Sequence, residues 1–143
     1  MRIKPADDAM FRERAGWRYP PPYDFYNDDG EPVKNPERFL AVRDDNDSLL
    51  GFYYVEHAGE ALFYGLGLRP NLTGRGLGES FVRVGLDHIQ ARYGLRPVVL
   101  DVAAFNQRAI RVYQRVGFVE IGRHSEAFDR YGEVEFIDME RRP

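Results

Sequence analysis

The chain has 143 residues, no cysteine, a formal net charge of −3 and 43% hydrophobic residues. This length suits one domain with a real core, so we expect a single domain over residues 1–143. The lack of cysteine excludes disulfides, thiolate metal sites and a cysteine nucleophile. An acidic chain is not expected to bind nucleic acid, and the three histidines lack metal-ligand spacing, so we expect no metal. No apolar run approaches the roughly 20 residues of a membrane span and no signal-like segment opens the chain, which predicts a cytoplasmic protein with no membrane partner.

The first half of the chain predicts a strand at residues 2–4, a helix at 7–15 and two strands at 39–43 and 49–57. Asp7 and Asp8 suit a helix start, since carboxylates favour the first turn. The acidic segment 44–48 joins the two later strands. It lacks the glycine and glutamate of a calcium-binding loop, so a hairpin turn is predicted there.

An aromatic segment at residues 17–26 contains three prolines and five aromatic residues. The prolines forbid a continuous helix, and five rings are many for a surface loop. Two interpretations remain open at this stage. The rings either pack onto the core or form an aromatic wall around a substrate site.

The second half predicts a strand at 61–68, a helix at 78–93, a strand at 98–102 and a helix from the cap residue Asn106 to 116. An antiparallel pair at 118–121 and 134–139 closes the chain. Gly65 and Gly67 interrupt the strand at 61–68. Glycine within a strand typically marks a bulge or the close approach of a ligand.

The most informative motif is the glycine turn that follows this strand, in which Gly74, Gly76 and Gly78 alternate and lead directly into a helix. Glycine lets backbone N–H groups converge without hindrance from a Cβ atom. The first turn of a helix adds unpaired N–H groups and the positive end of its dipole. The motif therefore predicts a phosphate or pyrophosphate site.

Two familiar phosphate loops fit this motif poorly. The P-loop needs a Lys-Ser or Lys-Thr pair after its last glycine, whereas Gly78 is followed by Glu79 and Ser80. The dinucleotide fingerprint needs a third glycine where Glu79 stands. Asp101, however, follows the motif at a sequence spacing that would suit a ribose contact.

A third family matches far better when the segment Leu100–Phe118 is included, in which Asn106 precedes a helix, Tyr113 lies within it and Gly-Phe ends it. With the glycine turn, this order resembles the GNAT superfamily of acetyl-CoA-dependent N-acetyltransferases over residues 39–122. The resemblance implies an α/β (α+β) GNAT fold. In it a mixed central sheet of six to seven strands, flanked by about four helices, splays around a CoA cleft.

The resemblance also implies a set of residues that hold acetyl-CoA. Backbone groups of Leu66 and Leu68 would pair with the pantetheine arm, and Asn106 would contact the same arm, beside its role as a helix cap. The pyrophosphate would be held by the amides of Thr73, Gly74, Arg75, Gly76, Leu77 and Gly78. The family usually has Gln or Arg where Thr73 stands, which removes one long side chain but not the amides. Arg75 and Arg111 are either phosphate contacts or solvated surface residues.

For the chemistry, the resemblance implies that Tyr113 protonates the departing thiolate. A phenol with a pKa of about 10 is a credible donor to a thiolate whose conjugate acid has a pKa of about 8.5. Asp101 matches the position of a catalytic glutamate in ribosomal-protein N-terminal acetyltransferases, and its shorter side chain suggests a water relay. Leu62 replaces the carboxylate of histone-type members. The other candidate bases are Tyr64, Glu60, Glu56 and His57, and unassisted attack by the neutral amine is also compatible.

The resulting hypothesis is an N-acetyltransferase that passes the acetyl group of acetyl-CoA directly to a primary amine of a small molecule or peptide. The alternative is a non-catalytic acyl-CoA-binding module that keeps the phosphate site without the chemistry. Dimers are frequent among similar proteins, so a homodimer is a further expectation. The acidic composition and the aromatic segment suit a polyamine, an aminoglycoside or a peptide N-terminus alike.

Overall fold

The computed structural model describes residues 1–143, and its seven strands form one sheet. The elements in chain order are β1 (Arg2–Pro5), α1 (Asp8–Ala15), β2 (Phe39–Arg43), β3 (Leu49–Ala58), β4 (Ala61–Leu68), α2 (Gly78–Tyr93), β5 (Val98–Ala103), α3 (Gln107–Val116), β6 (Val119–Phe128) and β7 (Gly132–Arg141). Three single-turn 3₁₀ helices lie at Tyr23–Tyr26, Pro36–Arg38 and Pro70–Leu72. None of the α-helices has both the length and the apolar character needed to span a membrane.

The sheet has the strand order β1-β2-β3-β4-β5-β7-β6. Every neighbouring pair is antiparallel except β4 and β5, which run parallel. These two central strands pair only at Leu62↔Val98 and Phe63↔Val99. Beyond that point they diverge, which leaves a gap in the middle of the sheet, as the predicted splayed fold requires.

One face of the sheet is covered by α2 and α3, and the main core lies between these helices and the sheet. Tyr53 and Tyr64 point into this core, where their hydroxyls donate to the carbonyl oxygens of Phe81 (2.6 Å) and Val82 (3.0 Å) on α2. Gly85 is required there, because a Cβ atom would overlap the Tyr64 hydroxyl. The helix therefore approaches the sheet closely enough to satisfy both buried hydroxyls.

The opposite face carries α1 and the aromatic segment. Ala41 pairs with Phe52, which pairs with Gly67, so these residues share that face. Met10 of α1 is fully buried against Ala41, with Phe39 and Phe52 packed around them. On β5 the core residues Leu100 and Val102 alternate with Asp101, so the Asp101 side chain belongs to the α1 face.

The predicted strands and helices are confirmed, with three differences. There are three α-helices rather than about four, because the proline-rich aromatic segment forms only a single 3₁₀ turn. The strands β6 and β7 are much longer than predicted, because β6 is a mostly exposed edge strand that lacks the alternation of apolar residues on which the prediction relied. The pairing of β3 with β4 is continuous, so the glycines of β4 mark no bulge.

Candidate active site

A cavity of about 580 Å³ opens where β4 and β5 part. Its walls come from the β4 glycines, the glycine turn, the exposed side of α3 and the aromatic segment. Among the residues predicted as site residues, the lining includes Leu66, Leu68, Thr73, Gly74, Gly76, Gly78, Asp101, Asn106 and Tyr113. The side chains of Arg75 and Leu77 lie outside it, and only their backbone could take part.

Backbone N–H and C=O groups of β4 point alternately towards β3 and towards the gap beside β5. The N–H of Leu62 donates to the carbonyl of Pro97 at 3.0 Å, so the even-numbered residues of β4 direct their polar groups towards β5. Leu66 and Leu68 follow in the same phase, beyond the point where β5 has turned away. The Leu68 carbonyl accepts a hydrogen bond from the Tyr19 hydroxyl at 2.7 Å. The rest of this edge can pair with an extended ligand.

The two glycines in β4 have different neighbours. A Cβ atom at Gly67 would overlap the ring of Phe52, so packing within the chain is enough to require this glycine, and the close approach of a ligand there stays a prediction. At Gly65 a Cβ atom would meet only the Tyr54 side chain, at 3.4 Å. Both glycines line the cavity, and because they have no side chains they leave space above this part of β4.

The glycine turn offers unpaired backbone donors. Gly74 and Gly76 have φ angles of +73° and +77°, a conformation that favours glycine. The first residue before α2, Leu77, provides no side-chain cap, so the N–H groups of the first helical turn remain without partners. A Cβ atom at Gly76 would meet nothing within 4 Å, so the turn faces open space. Thr73 differs, because its N–H and its hydroxyl both bond to the Pro70 carbonyl, at 3.2 and 2.7 Å.

Three arginines of α3 add positive charge beside the glycine turn: Arg108, Arg111 and Arg115 line the cavity. The Arg108 guanidinium lies 4.3 Å from the centre of the Tyr23 ring, next to Gly74. Arg115 also pairs with Glu79 at 3.2 Å. Arg111 was a candidate from the sequence, whereas Arg108 was missed. Arg108 lies three residues before Arg111 and therefore on the same face of the helix.

Tyr113 lies on α3 and lines the cavity. Its ring packs edge-on against Phe118, with 5.8 Å between the ring centres. Burial raises the pKa of its hydroxyl well above the ordinary value of a phenol, and the nearby Tyr26 and Asp101 act in the same direction. The hydroxyl is therefore protonated throughout the neutral range, as a proton donor must be.

Asp101 lies across the gap on β5, directly opposite Asp138 of β7. Burial raises the pKa of the Asp101 carboxyl, and Glu126 and Asp138 raise it further, while His124 lowers it. A carboxylate with a raised pKa is a stronger base than one in water. Asp101 thus has the electrostatic environment of a general base at the cavity wall.

His124 and Asp138 extend this site, and the sequence analysis missed both. The His124 Nε2 atom lies 3.7 Å from an Asp101 oxygen, and its Nδ1 atom lies 2.9 Å from Asp138. Hydrogen bonds to Asp138 and Glu126 raise the pKa of His124. The three side chains Asp101, His124 and Asp138 bring ligand atoms within 4.8 Å of one another, a spacing that a metal ion would tolerate. The His124 Nε2 atom has its hydrogen-bond partner in Glu126, at 3.2 Å.

The other candidate bases are either committed to other contacts or lie outside the cavity lining. The Tyr64 hydroxyl is committed to the core by its bond to Val82. Glu56 pairs with Arg38 and accepts from the Tyr54 hydroxyl at 2.8 Å. His57 bonds to Arg96, and Glu60 lies in the turn between β3 and β4. None of these acidic or imidazole groups lines the cavity.

The aromatic rings of the segment fall into two groups, one lining the cavity and one packed against other rings, and a substrate at that wall stays a prediction. The cavity wall is formed by Trp17, Tyr19, Tyr23 and Tyr26. Phe25 turns away and packs edge-on against Phe105, Phe128 and Tyr131, with ring centres 4.9 to 5.7 Å apart. Asn106 ties the segment to α3, because its amide donates to the Tyr26 hydroxyl at 3.1 Å while its oxygen caps the helix at the Ala109 N–H. The predicted helix cap is confirmed.

Comparison with known proteins agrees with this architecture. The family model of the acetyltransferase (GNAT) family matches residues 5–118. Mycothiol acetyltransferases from Saccharopolyspora erythraea and Mycolicibacterium gilvum are 36% and 34% identical over 114 and 125 residues, which is 78% and 82% of this chain but 32% and 40% of those proteins. The chain thus spans about a third of the length of these curated relatives.

Solved structures resemble the chain in fold. A chimera of spermidine N-acetyltransferase from Vibrio cholerae and hSSAT superposes with a TM-score of 0.73 at 20% identity, covering 98% of this chain and 94% of that one. The Vibrio cholerae spermidine/spermine N-acetyltransferase in complex with manganese ions gives 0.72 at 19% identity, covering 97% and 90%. With the family model matching most of its length, the chain belongs to the acetyltransferase (GNAT) family.

Proposed function

We propose that this chain is an N-acetyltransferase that passes the acetyl group of acetyl-CoA directly to a primary amine of a small molecule or peptide. One observation carries the proposal. A single cavity contains an open strand edge, the uncapped start of α2, a protonated Tyr113 and the Asp101 carboxylate, whose pKa burial raises. These are the groups that binding a CoA thioester and deprotonating an amine require.

The residues present fit acetyl-CoA. The backbone groups of Leu66 and the N–H of Leu68 offer strand-like pairing to the pantetheine arm, while the Leu68 carbonyl is already bonded to the Tyr19 hydroxyl. Asn106 adds an amide near the arm. Unpaired amides and the helix dipole suit the pyrophosphate, and three arginines stand beside them. The proposed pyrophosphate site consists of the backbone of Gly74, Arg75, Gly76, Leu77 and Gly78. Thr73 contributes less than first predicted, because its N–H already has a partner.

The chain's own groups then have defined tasks. Bound acetyl-CoA supplies the acetyl thioester. Asp101 accepts a proton from the ammonium group, directly or through a water, and His124 stands beside it to stabilise the negative charge. Tyr113 donates its proton to the departing sulfur. Since the chain has no cysteine, the amine attacks without an acetyl-cysteine stage.

The test combines binding and turnover. We expect acetyl-CoA to bind with micromolar affinity in a calorimetric titration, and Gly76→Glu to abolish this binding, because bulk and negative charge enter the phosphate site. Gly59→Glu is the matched control. Gly59 has a similar positive φ of +63° and open surroundings, but it lies in the turn between β3 and β4. Equal loss of binding in both variants would contradict the assignment of the glycine turn.

Release of free CoA across a panel of amines distinguishes the enzyme from its rival. Amine-dependent release identifies a transferase. Tight acetyl-CoA binding with no release for any amine would instead identify a non-catalytic acyl-CoA-binding module.

A further inference from the structure

Arg14, at the end of α1, has an unusual environment. It lines the cavity, and its Nη1 atom is buried without any hydrogen-bond partner. It is the only buried side-chain polar atom of the chain in this condition. Since buried polar groups in proteins nearly always have partners, an orphaned guanidinium nitrogen at a cavity wall indicates a missing ligand group.

The position of the guanidinium is fixed by aromatic rings. Its central carbon lies 5.0 Å from the centre of the Phe52 ring and 5.4 Å from that of Phe39. Such contacts hold a cation by the negative faces of the rings, but they use none of its N–H donors. Arg14 is therefore held in place by the rings while its Nη1 atom has no hydrogen-bond partner.

The charge of Arg14 is not neutralised by an ion pair. Asp28 also lines the cavity, but it acts on Arg14 only as a distant charge, and one of its oxygens accepts from the Gly30 N–H at 2.6 Å. Burial lowers the pKa of Arg14, which reflects the cost of keeping this cation away from water. An anion in the cavity would offset that cost.

The fold sets the distance between this anion site and the chemistry. Arg14 packs on the ring of Phe52, which belongs to β3, and Asp101 belongs to β5. The strand β4, with its two glycines, lies between β3 and β5. Two strand spacings of about 5 Å give a lower bound of roughly 10 Å, because β4 and β5 diverge here and Asp101 lies level with Gly65 rather than Gly67. An extended chain of three or more residues spans such a length, at about 3.3–3.6 Å per residue.

Resting on the proposed function, we infer that the acceptor is a primary amine that also carries a carboxylate at least about 10 Å away, as in a short peptide with a free C-terminus, and that Arg14 binds this carboxylate. A guanidinium presents a planar pair of donors that matches the two oxygens of a carboxylate. Polyamines and aminoglycosides carry only positive charge, so Arg14 selects against them.

The experiment compares triglycine with triglycine amide, which share the same amine and differ in the carboxylate. We expect the wild-type kcat/KM for triglycine to exceed that for the amide by at least about tenfold. Arg14→Gln should remove this preference by raising the KM for triglycine, while the KM for acetyl-CoA and the rate with the amide stay unchanged. Arg12→Gln, an exposed arginine of the same helix, is the matched control and should keep the preference.

Equal use of the two peptides by the wild-type protein, or preferred use of spermidine, would overturn the inference and leave acetyl transfer to amines in place. Absence of CoA release with every acceptor would instead refute the proposed function, and the inference with it. The wild-type comparison decides the matter even if Arg14→Gln fails to fold.

Discussion

Tyr113 combines a packing contact with the proposed role of proton donor. Its ring contacts Phe118 in the core, the residue lines the cavity, and burial keeps its hydroxyl protonated. Replacement by Phe keeps the ring and removes only the proton donor. We expect Tyr113→Phe to lower kcat by about 10²-fold or more, the usual contribution of a general acid.

The binding of acetyl-CoA is the control for this variant. Calorimetry should give the same affinity for Tyr113→Phe as for the wild-type protein, because the ring is retained. An unchanged kcat would remove Tyr113 from its proposed role.

The proposed role of Asp101 as the general base predicts how the reaction depends on pH. A general base acts only when deprotonated, so kcat/KM should rise as the pH increases through the raised pKa of Asp101. Protonated His124 lowers this pKa, so His124→Gln should move the acidic limb of the profile to higher pH. Asp101→Asn should abolish the limb and most of the activity. A limb at the same pH in the His124 variant would show that the two groups are not coupled.

Among the elements, the aromatic segment 17–26 depends most on tertiary contacts. It has no regular structure beyond one 3₁₀ turn, and Phe25 fastens it to the end of the sheet through Phe105, Phe128 and Tyr131. Hydrogen bonds of the Tyr19 and Tyr26 hydroxyls with Leu68 and Asn106 add to this attachment. Phe25 makes the most extensive aromatic contacts of the segment.

We expect Phe25→Ala to lower the free energy of unfolding by about 2–4 kcal/mol, since a large aromatic contact area is lost. Urea denaturation measures this change. Leu95→Ala is the control, because Leu95 is 68% exposed, and its loss should stay within about 0.5 kcal/mol. Similar losses in both variants would mean that Phe25 does not fasten the segment.

Sequence patterns predicted the elements that bury one face. The strand β4 and the helix α2 were predicted with their observed ends, because glycine and proline bound them and apolar residues repeat within them. The edge strand β6 was predicted far too short, since most of its side chains are exposed and its pairing with β7 comes from the hairpin itself. The periodicity of apolar residues reflects burial of one face, and few side chains of an edge strand are buried.

At the scale of the whole molecule, the candidate site forms from residues that no local pattern connects. The glycine turn and α3 carry a family motif, so Tyr113 and the turn were predicted together, and both line one cavity. Asp138 reaches Asp101 only through the register of β5 with β7, and His124 only through that of β6 with β7. Arg14 reaches the cavity because α1 lies on the far face of the sheet. Such meetings depend on topology, which a single sequence leaves open.

The contact between Gly67 and Phe52 has a consequence for how this chain can evolve. Any side chain at position 67 displaces the Phe52 ring, and that ring carries the Arg14 guanidinium. A change in the strand beside the cavity therefore alters the position of a residue on a different element. A larger residue at position 67 becomes acceptable only after position 52 has become smaller, so the three positions are expected to vary together among relatives, and in that order.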